Sequence, residues 1–133
     1  MRKMILGVVC GVLGCVGLIL AAQNQDGKRE PITFSLECAG GDCPLLTGKP
    51  QTSGMRGGSV RLKPGERVGW HSTNQNEETL VILRGKGTAN IENHADVSLH
   101  EKMLVYIPPA TRHNVTNSGT EILEYVWIVA PAH

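Results

Sequence analysis

His71, Glu78 and His113 are the residues of this chain whose types and spacing could do chemistry. Two imidazoles and a carboxylate turned toward one point can hold a divalent cation. They leave coordination positions open for water, oxygen or a chelating substrate. The three lie in two separate segments, Gly65 to Gly85 and Pro108 to Asn117, so a fold must bring distant parts of the chain together before they can act as a set.

The elements available for this are short strands. Beyond Gly58 the sequence reads as Ser59 to Leu62, Arg67 to His71, Thr79 to Leu83, Thr88 to Ile91, Val97 to Leu99, Met103 to Ile107, His113 to Thr116 and Ile122 to Ala130. Turn sequences such as Lys63-Pro64-Gly65-Glu66 and Asn117-Ser118-Gly119-Thr120 separate them. Strands at this spacing predict an all-β, double-sheet barrel of the jelly-roll kind with a cavity between its sheets. No long helical periodicity follows residue 22. His71 is expected to end one strand, the Ser72 to Glu77 turn to reverse the chain, and Glu78 to begin the neighbouring strand of a hairpin. If Glu78 points inward, period two turns Leu80 and Ile82 inward as well and Glu77 outward. In the last strand Tyr125, Trp127 and Val129 share one side and Val126, Ile128 and Ala130 the other; ordinary core is the expectation for the aromatics. Ile32 to Leu36 alternates like a short edge strand, and Glu37 to Gly58, rich in Gly, Pro, Ser and Thr, reads mostly as loop wrapped on the core.

A chain of 133 residues has room for one such core and not two. Its start is of another kind. Met1-Arg2-Lys3 is followed by an uncharged apolar run from Met4 to Ala22, an apolar leader helix near the roughly 20 residues that a membrane span requires. A cleaved export signal, with Leu20-Ala21-Ala22 as the cleavage site, and membrane anchoring by residues 4–22 are both open readings. Either places the barrel outside the cytoplasm, periplasmic or extracytoplasmic. The division expected is 1–22 as signal peptide or anchor, 23–58 as tether and strand or loop wrapping the barrel, and 59–131 as the barrel.

The formal charge of +1 becomes slightly negative once Arg2 and Lys3 are set aside. The remaining cations are interspersed with acids, and no basic field of the kind that nucleic acid binding requires is left. Cys38 and Cys43 are the two cysteines beyond the leader, separated by Ala39-Gly40-Gly41-Asp42. Export permits a disulfide between them, and the pair and two free thiols stand as alternatives.

The two segments that carry His71, Glu78 and His113 resemble the motifs of the cupin family. The first runs Gly65, five residues, His71, one residue, Thr73, four residues, Glu78, six residues, Gly85. It follows the first cupin motif except that Thr73 stands where a second histidine is usual. The second runs from Pro108 and Pro109 through His113 to Asn117, with Lys102 and Ala110 at positions where glycine is usual. The resemblance implies a double-stranded β-helix barrel and a divalent metal, Fe, Mn, Zn, Ni or Co, held by His71, Glu78 and His113, with Thr73 as a neighbour of the site and a weakened fourth position. It also implies a small-molecule ligand or substrate and allows a homodimer through an outer sheet. Family members include enzymes and binding modules, so two functions are carried forward: a metal-dependent enzyme, and a non-catalytic small-ligand module or sensor. Trp70 and Tyr106 are expected to support the walls. His94, His100 and His133 fall outside the site by spacing, and Asn114-Val115-Thr116 is taken as a chance match to a glycosylation acceptor.

Overall fold

The computed structural model describes residues 29–132; the apolar leader at 1–22 lies outside the described residues. The described part is all β, with no helix long and apolar enough to cross a membrane. It contains β1 (Gly41–Thr47), β2 (Arg56–Leu62), β3 (Asn76–Arg84), β4 (Lys86–Ile91), β5 (Val97–His100), β6 (Met103–Ile107), β7 (His113–Thr116) and β8 (Leu123–Pro131). A five-stranded sheet in the order β1-β2-β8-β3-β6 faces a three-stranded sheet in the order β5-β4-β7, which is the double-stranded β-helix expected.

Alternation along the strands builds the interior. Val60, Leu62, Leu80, Ile82, Val105, Ile107, Leu123 and Tyr125 from the larger sheet meet Ala89, Leu99 and Val115 from the smaller one in one buried cluster. Each polar neighbour in sequence is turned to the other face, as period two requires. Two glycines let backbones approach. A Cβ on Gly58 would stand 2.5 Å from the Cys43 carbonyl oxygen and 3.0 Å from the Trp127 ring, and one on Gly85 would stand 2.3 Å from the Ile122 carbonyl oxygen.

Three expectations are corrected. Ile32 to Leu36 forms no strand, whereas Gly41–Thr47, read as loop, is β1. The segment Gly41-Asp42-Cys43-Pro44 has poor strand propensity, and antiparallel pairing with β2, from Gly41↔Arg61 to Thr47↔Arg56, overrides it. Arg67 to His71 is not a continuous strand; it touches β7 through isolated bridges at Arg67↔Thr116 and His71↔His113. Between these bridges Gly69 adopts φ 96° and sends its N–H to the Asn114 side chain, interrupting the ladder. Finally, His71 and Glu78 are not on paired strands. His71 pairs with His113, while Glu78 pairs with Ile107 and Val129, so the intervening turn crosses from one sheet to the other.

That turn is locked to the loop before His113. Asn74 and Ala110 both take left-handed backbone, at φ 56° and 57°, and the Ala110 N–H donates to the Asn74 carbonyl. Lys102 is likewise left-handed at φ 60°. The glycines usual at positions 102 and 110 are thus replaced without the backbone changing hand, at a cost of about 1 kcal/mol each. Ala110→Gly is therefore expected to raise stability by about 1 kcal/mol, read as a higher urea midpoint at unchanged slope; a lower midpoint would contradict the assignment of strain.

Candidate metal centre

His71 and His113 face each other across an antiparallel bridge in which each N–H donates to the other's carbonyl, at 3.0 and 2.9 Å. Residues directly opposite in such a pair project to the same side, and here the ring centroids are 4.3 Å apart with planes at 63°. Glu78 approaches from β3 of the opposing sheet. Its neighbours obey the predicted alternation: Leu80 and Ile82 are buried with it, and Glu77 points out, accepting a hydrogen bond from the Tyr106 hydroxyl. One ligand atom from each of His71, Glu78 and His113 lies within 4.8 Å of the other two. The spacing-based expectation that these three converge is met.

The set is asymmetric in burial. Glu78 and His113 are 5% and 0% exposed, while His71 is exposed, so the group opens toward solvent on the His71 side. The Nδ1 of His71 lies 2.9 Å from the Gly69 carbonyl and that of His113 lies 3.1 Å from the Thr111 carbonyl. A carbonyl only accepts, which assigns the proton of each neutral ring to Nδ1 and leaves Nε2 as a free lone pair, the arrangement of a metal-ligating histidine. The His113 Nε2 is 3.1 Å from Glu78 Oε2, yet the contact is not aligned as a hydrogen bond, and both atoms are buried without a hydrogen-bond partner. Two buried acceptors with no donor between them suit a shared cation.

These atoms line a cavity of about 230 Å³ whose walls include Val60, Val68, Leu80, Val115, Trp127 and Val129, with Thr73, Asp42, Arg56 and Tyr125 among its polar lining. Thr73 is 9% exposed and its hydroxyl donates to the Asn76 carbonyl at 2.8 Å. It borders the site as expected, but that hydroxyl's proton serves the turn. Tyr125 was expected to be plain core. It is 2% exposed and borders the cavity, and burial first, then the carboxylates of Glu78 and Asp42, push its phenol well above the ordinary value, so it stays protonated as a donor. The signal that could have found it was its place beside Trp127 and Val129 on one face of β8. Trp70 and Tyr106, by contrast, are 52% and 53% exposed and absent from the cavity lining, which corrects the expectation that they support its walls. His94 and His100 are exposed and apart from the cluster, and His133 lies outside the described residues. Asn114 is 4% exposed on β7, with its side chain bonded to Gly69, Asn90 and Thr116. Asn117 bonds Leu62, Glu121 and Gly119, closing the corner after β7.

Fold and site together define a small double-stranded β-helix protein with a His/Glu/His group inside its barrel. A family model described as a cupin domain matches residues 58–129, more than half of the chain, and the chain belongs to the cupin family. A protein of known structure from Bacillus halodurans aligns at TM-score 0.66 and 20% identity, over 78% of this chain and 83% of its own. A cupin-like protein from Thermotoga maritima aligns at TM-score 0.62 and 26% identity, over 69% and 68%. Over 64 residues, 48% of this chain, the sequence is 33% identical to an (R)-mandelonitrile lyase from Granulicella tundricola, of which the match covers 48%. The chain thus spans about half the length of that curated relative.

Burial lowers the pKa of His113, but the Glu78 carboxylate and the Thr111 carbonyl outweigh it, and the ring stands above its ordinary value of 6.5. A folded-state pKa above the unfolded one means that folding takes up a proton. In metal-free protein this stability is complete below about pH 6.5 and is lost as pH rises through the raised value. Urea midpoints of metal-free protein should therefore fall across that window. Glu78→Gln should flatten or reverse the slope, since only the Thr111 carbonyl then opposes burial; a wild-type curve that rises over the same interval would exclude the assignment.

Proposed function

We propose that this protein is an exported cupin that binds a divalent metal through His71, Glu78 and His113 and acts on a small oxygen-bearing substrate within the barrel. The observation that carries the proposal is the pair of buried, unpartnered acceptors, Glu78 Oε2 and His113 Nε2, with a third ligand beside them. A carboxylate sealed among apolar strands is costly unless a cation accompanies it. When bound, a divalent ion supplies a Lewis acid that polarises a substrate oxygen, and Fe, Mn, Zn, Ni and Co all suit two imidazoles and a carboxylate. The chain's own contribution is to fix both imidazole tautomers, to exclude water with the apolar walls and to present the protonated Tyr125 hydroxyl as a donor. The similarity to an (R)-mandelonitrile lyase makes (R)-mandelonitrile the first substrate to assay. Export is supported by the basic, then apolar, start of the sequence and by the disulfide between Cys38 and Cys43, whose Cα atoms are 5.9 Å apart.

A second reading, a non-catalytic small-ligand module or sensor with a weakened metal site, is favoured by one observation: Thr73 offers a hydroxyl committed to the turn where the family usually has an imidazole. The two readings separate on metal dependence. For the enzyme, the full-length chain reconstituted with Mn, Fe, Zn, Co or Ni should bind one ion, and His113→Ala should abolish both binding and turnover. A module would instead keep its ligand affinity in chelator. Thr73→His should raise metal affinity about tenfold or more, an added ligand outweighing the lost hydrogen bond of about 1 kcal/mol. Unchanged affinity would mean that position 73 does not reach the ion.

A homodimer belongs to the same proposal. Leu83, Leu104 and Tyr106, 44%, 64% and 53% exposed, project from the outer face of β3 and β6, which offers a second copy an apolar patch. Leu104→Glu should convert a dimer to a monomer in sedimentation; a wild type that sediments as a monomer would remove this part.

A further inference from the structure

The register of the larger sheet places a cation across the cavity from the His71, Glu78 and His113 group. Glu78 on β3 is opposite Val129 on β8, and Val129 is opposite Arg56 on β2. Directly opposed residues share a face, so Glu78, Val129 and Arg56 form one inward-facing row. Two strand spacings, roughly 10 Å between Cα atoms, separate the first from the last. Arg56 is exposed at the start of β2 and lines the same cavity as His71, Glu78 and His113 from its open rim. Its guanidinium, like those of Arg67 and Arg84, has no hydrogen bond or ion pair among the described residues, whereas Arg61 and Arg112 pair with Glu124 and Glu92. Of these arginines Arg56 is the one that lines the cavity. The cavity's other carboxylate, Asp42, is opposite Val60, four residues along β2 and about 13 Å from Arg56 at strand rise. It accepts the Trp127 indole N–H at 2.7 Å.

The resulting charge pattern selects a ligand. A divalent ion at the cluster outweighs the single charge of Glu78, and a free guanidinium across the cavity adds a second positive centre. Between them lies apolar wall, Val129 and Trp127. At about 230 Å³ the cavity is smaller than the roughly 300 Å³ lower bound of drug-sized pockets, so its occupant has only a handful of heavy atoms. Arg pairs with carboxylates through two parallel N–H donors, a geometry that lysine lacks.

We infer that Arg56 is the specificity residue of this site and that its ligand is a small organic dianion, with one carboxylate on Arg56 and a second at the opposite end directed to His71, Glu78 and His113. This rests on the metal-binding reading above. Succinate and its monoamide, succinamate, are matched in length and differ in one charge. The full-length chain, its Arg56→Gln variant and its Arg56→Lys variant are loaded with Co(II), uptake is measured, and each is titrated with both probes by the cobalt visible spectrum. Wild type should prefer succinate about tenfold or more, the value of a charged hydrogen-bonded contact. Arg56→Gln should take up cobalt equally and lose the preference, and Arg56→Lys should retain part of it. If wild type takes up no cobalt, the metal reading fails and this inference with it. If cobalt loads and Arg56→Gln keeps the wild-type preference, or wild type shows none, the inference alone is overturned.

Discussion

The burial of one carboxylate is the constraint around which this barrel is arranged. Glu78 sits 5% exposed on a strand whose inward neighbours are Leu80 and Ile82. In such surroundings an ionised carboxylate is unfavourable by several kcal/mol unless positive charge accompanies it. The opposing sheet answers with His113, fully buried and 3.1 Å away, and with His71 across one bridge. A proton on His113 or a divalent ion between the ligands can supply the charge. The raised pKa of His113 and the unpartnered Glu78 Oε2 are two consequences of the same electrostatic need.

Everything that positions the three side chains follows from antiparallel pairing. The His71↔His113 bridge sets two rings on one face, and the Asn74–Ala110 hydrogen bond ties the loops that precede Glu78 and His113. Gly69 breaks the ladder so that its own N–H reaches Asn114. The rows of the larger sheet then order the lining of the cavity, with charged groups at both ends and apolar wall between. Glu78, Val129 and Arg56 form one row; Val105, Leu80, Trp127 and Gly58 the next; Met103, Ile82, Tyr125, Val60 and Asp42 the one after. Gly58 has no side chain where Trp127 leans across β2, and the indole thereby reaches Asp42. Asp42, exposed at the start of β1, is held by the half-buried Cys38–Cys43 disulfide beside it, so a covalent link fixes the acceptor of the Trp127 indole.

Much of this was legible beforehand because strand periodicity is local. The inward set of Glu78, Leu80 and Ile82, the outward turn of Glu77, the two faces of Ile122 to Ala130, and the strands at Met103–Ile107 and His113–Thr116 all follow from period two and turn residues. What escaped was set by partners distant in sequence. Gly41–Thr47 has a loop's composition and is a strand because β2 offers it an edge. Ile32 to Leu36 has a strand's pattern and finds no partner. Arg67 to His71 stops short of being a strand because one left-handed glycine interrupts it.

By itself the sequence determined the residue types, the inward parity of the ligands and the family to which their spacing belongs, since each depends on local order along the chain. Only the tertiary structure decided that His71 and Glu78 come from opposite sheets, that Tyr125 borders the cavity, that Cys38 and Cys43 are joined, and that Arg56 shares a row with Glu78. Those facts depend on which strand lies beside which, and pairing energy is shared among residues far apart in the chain, where no single segment carries a record of it.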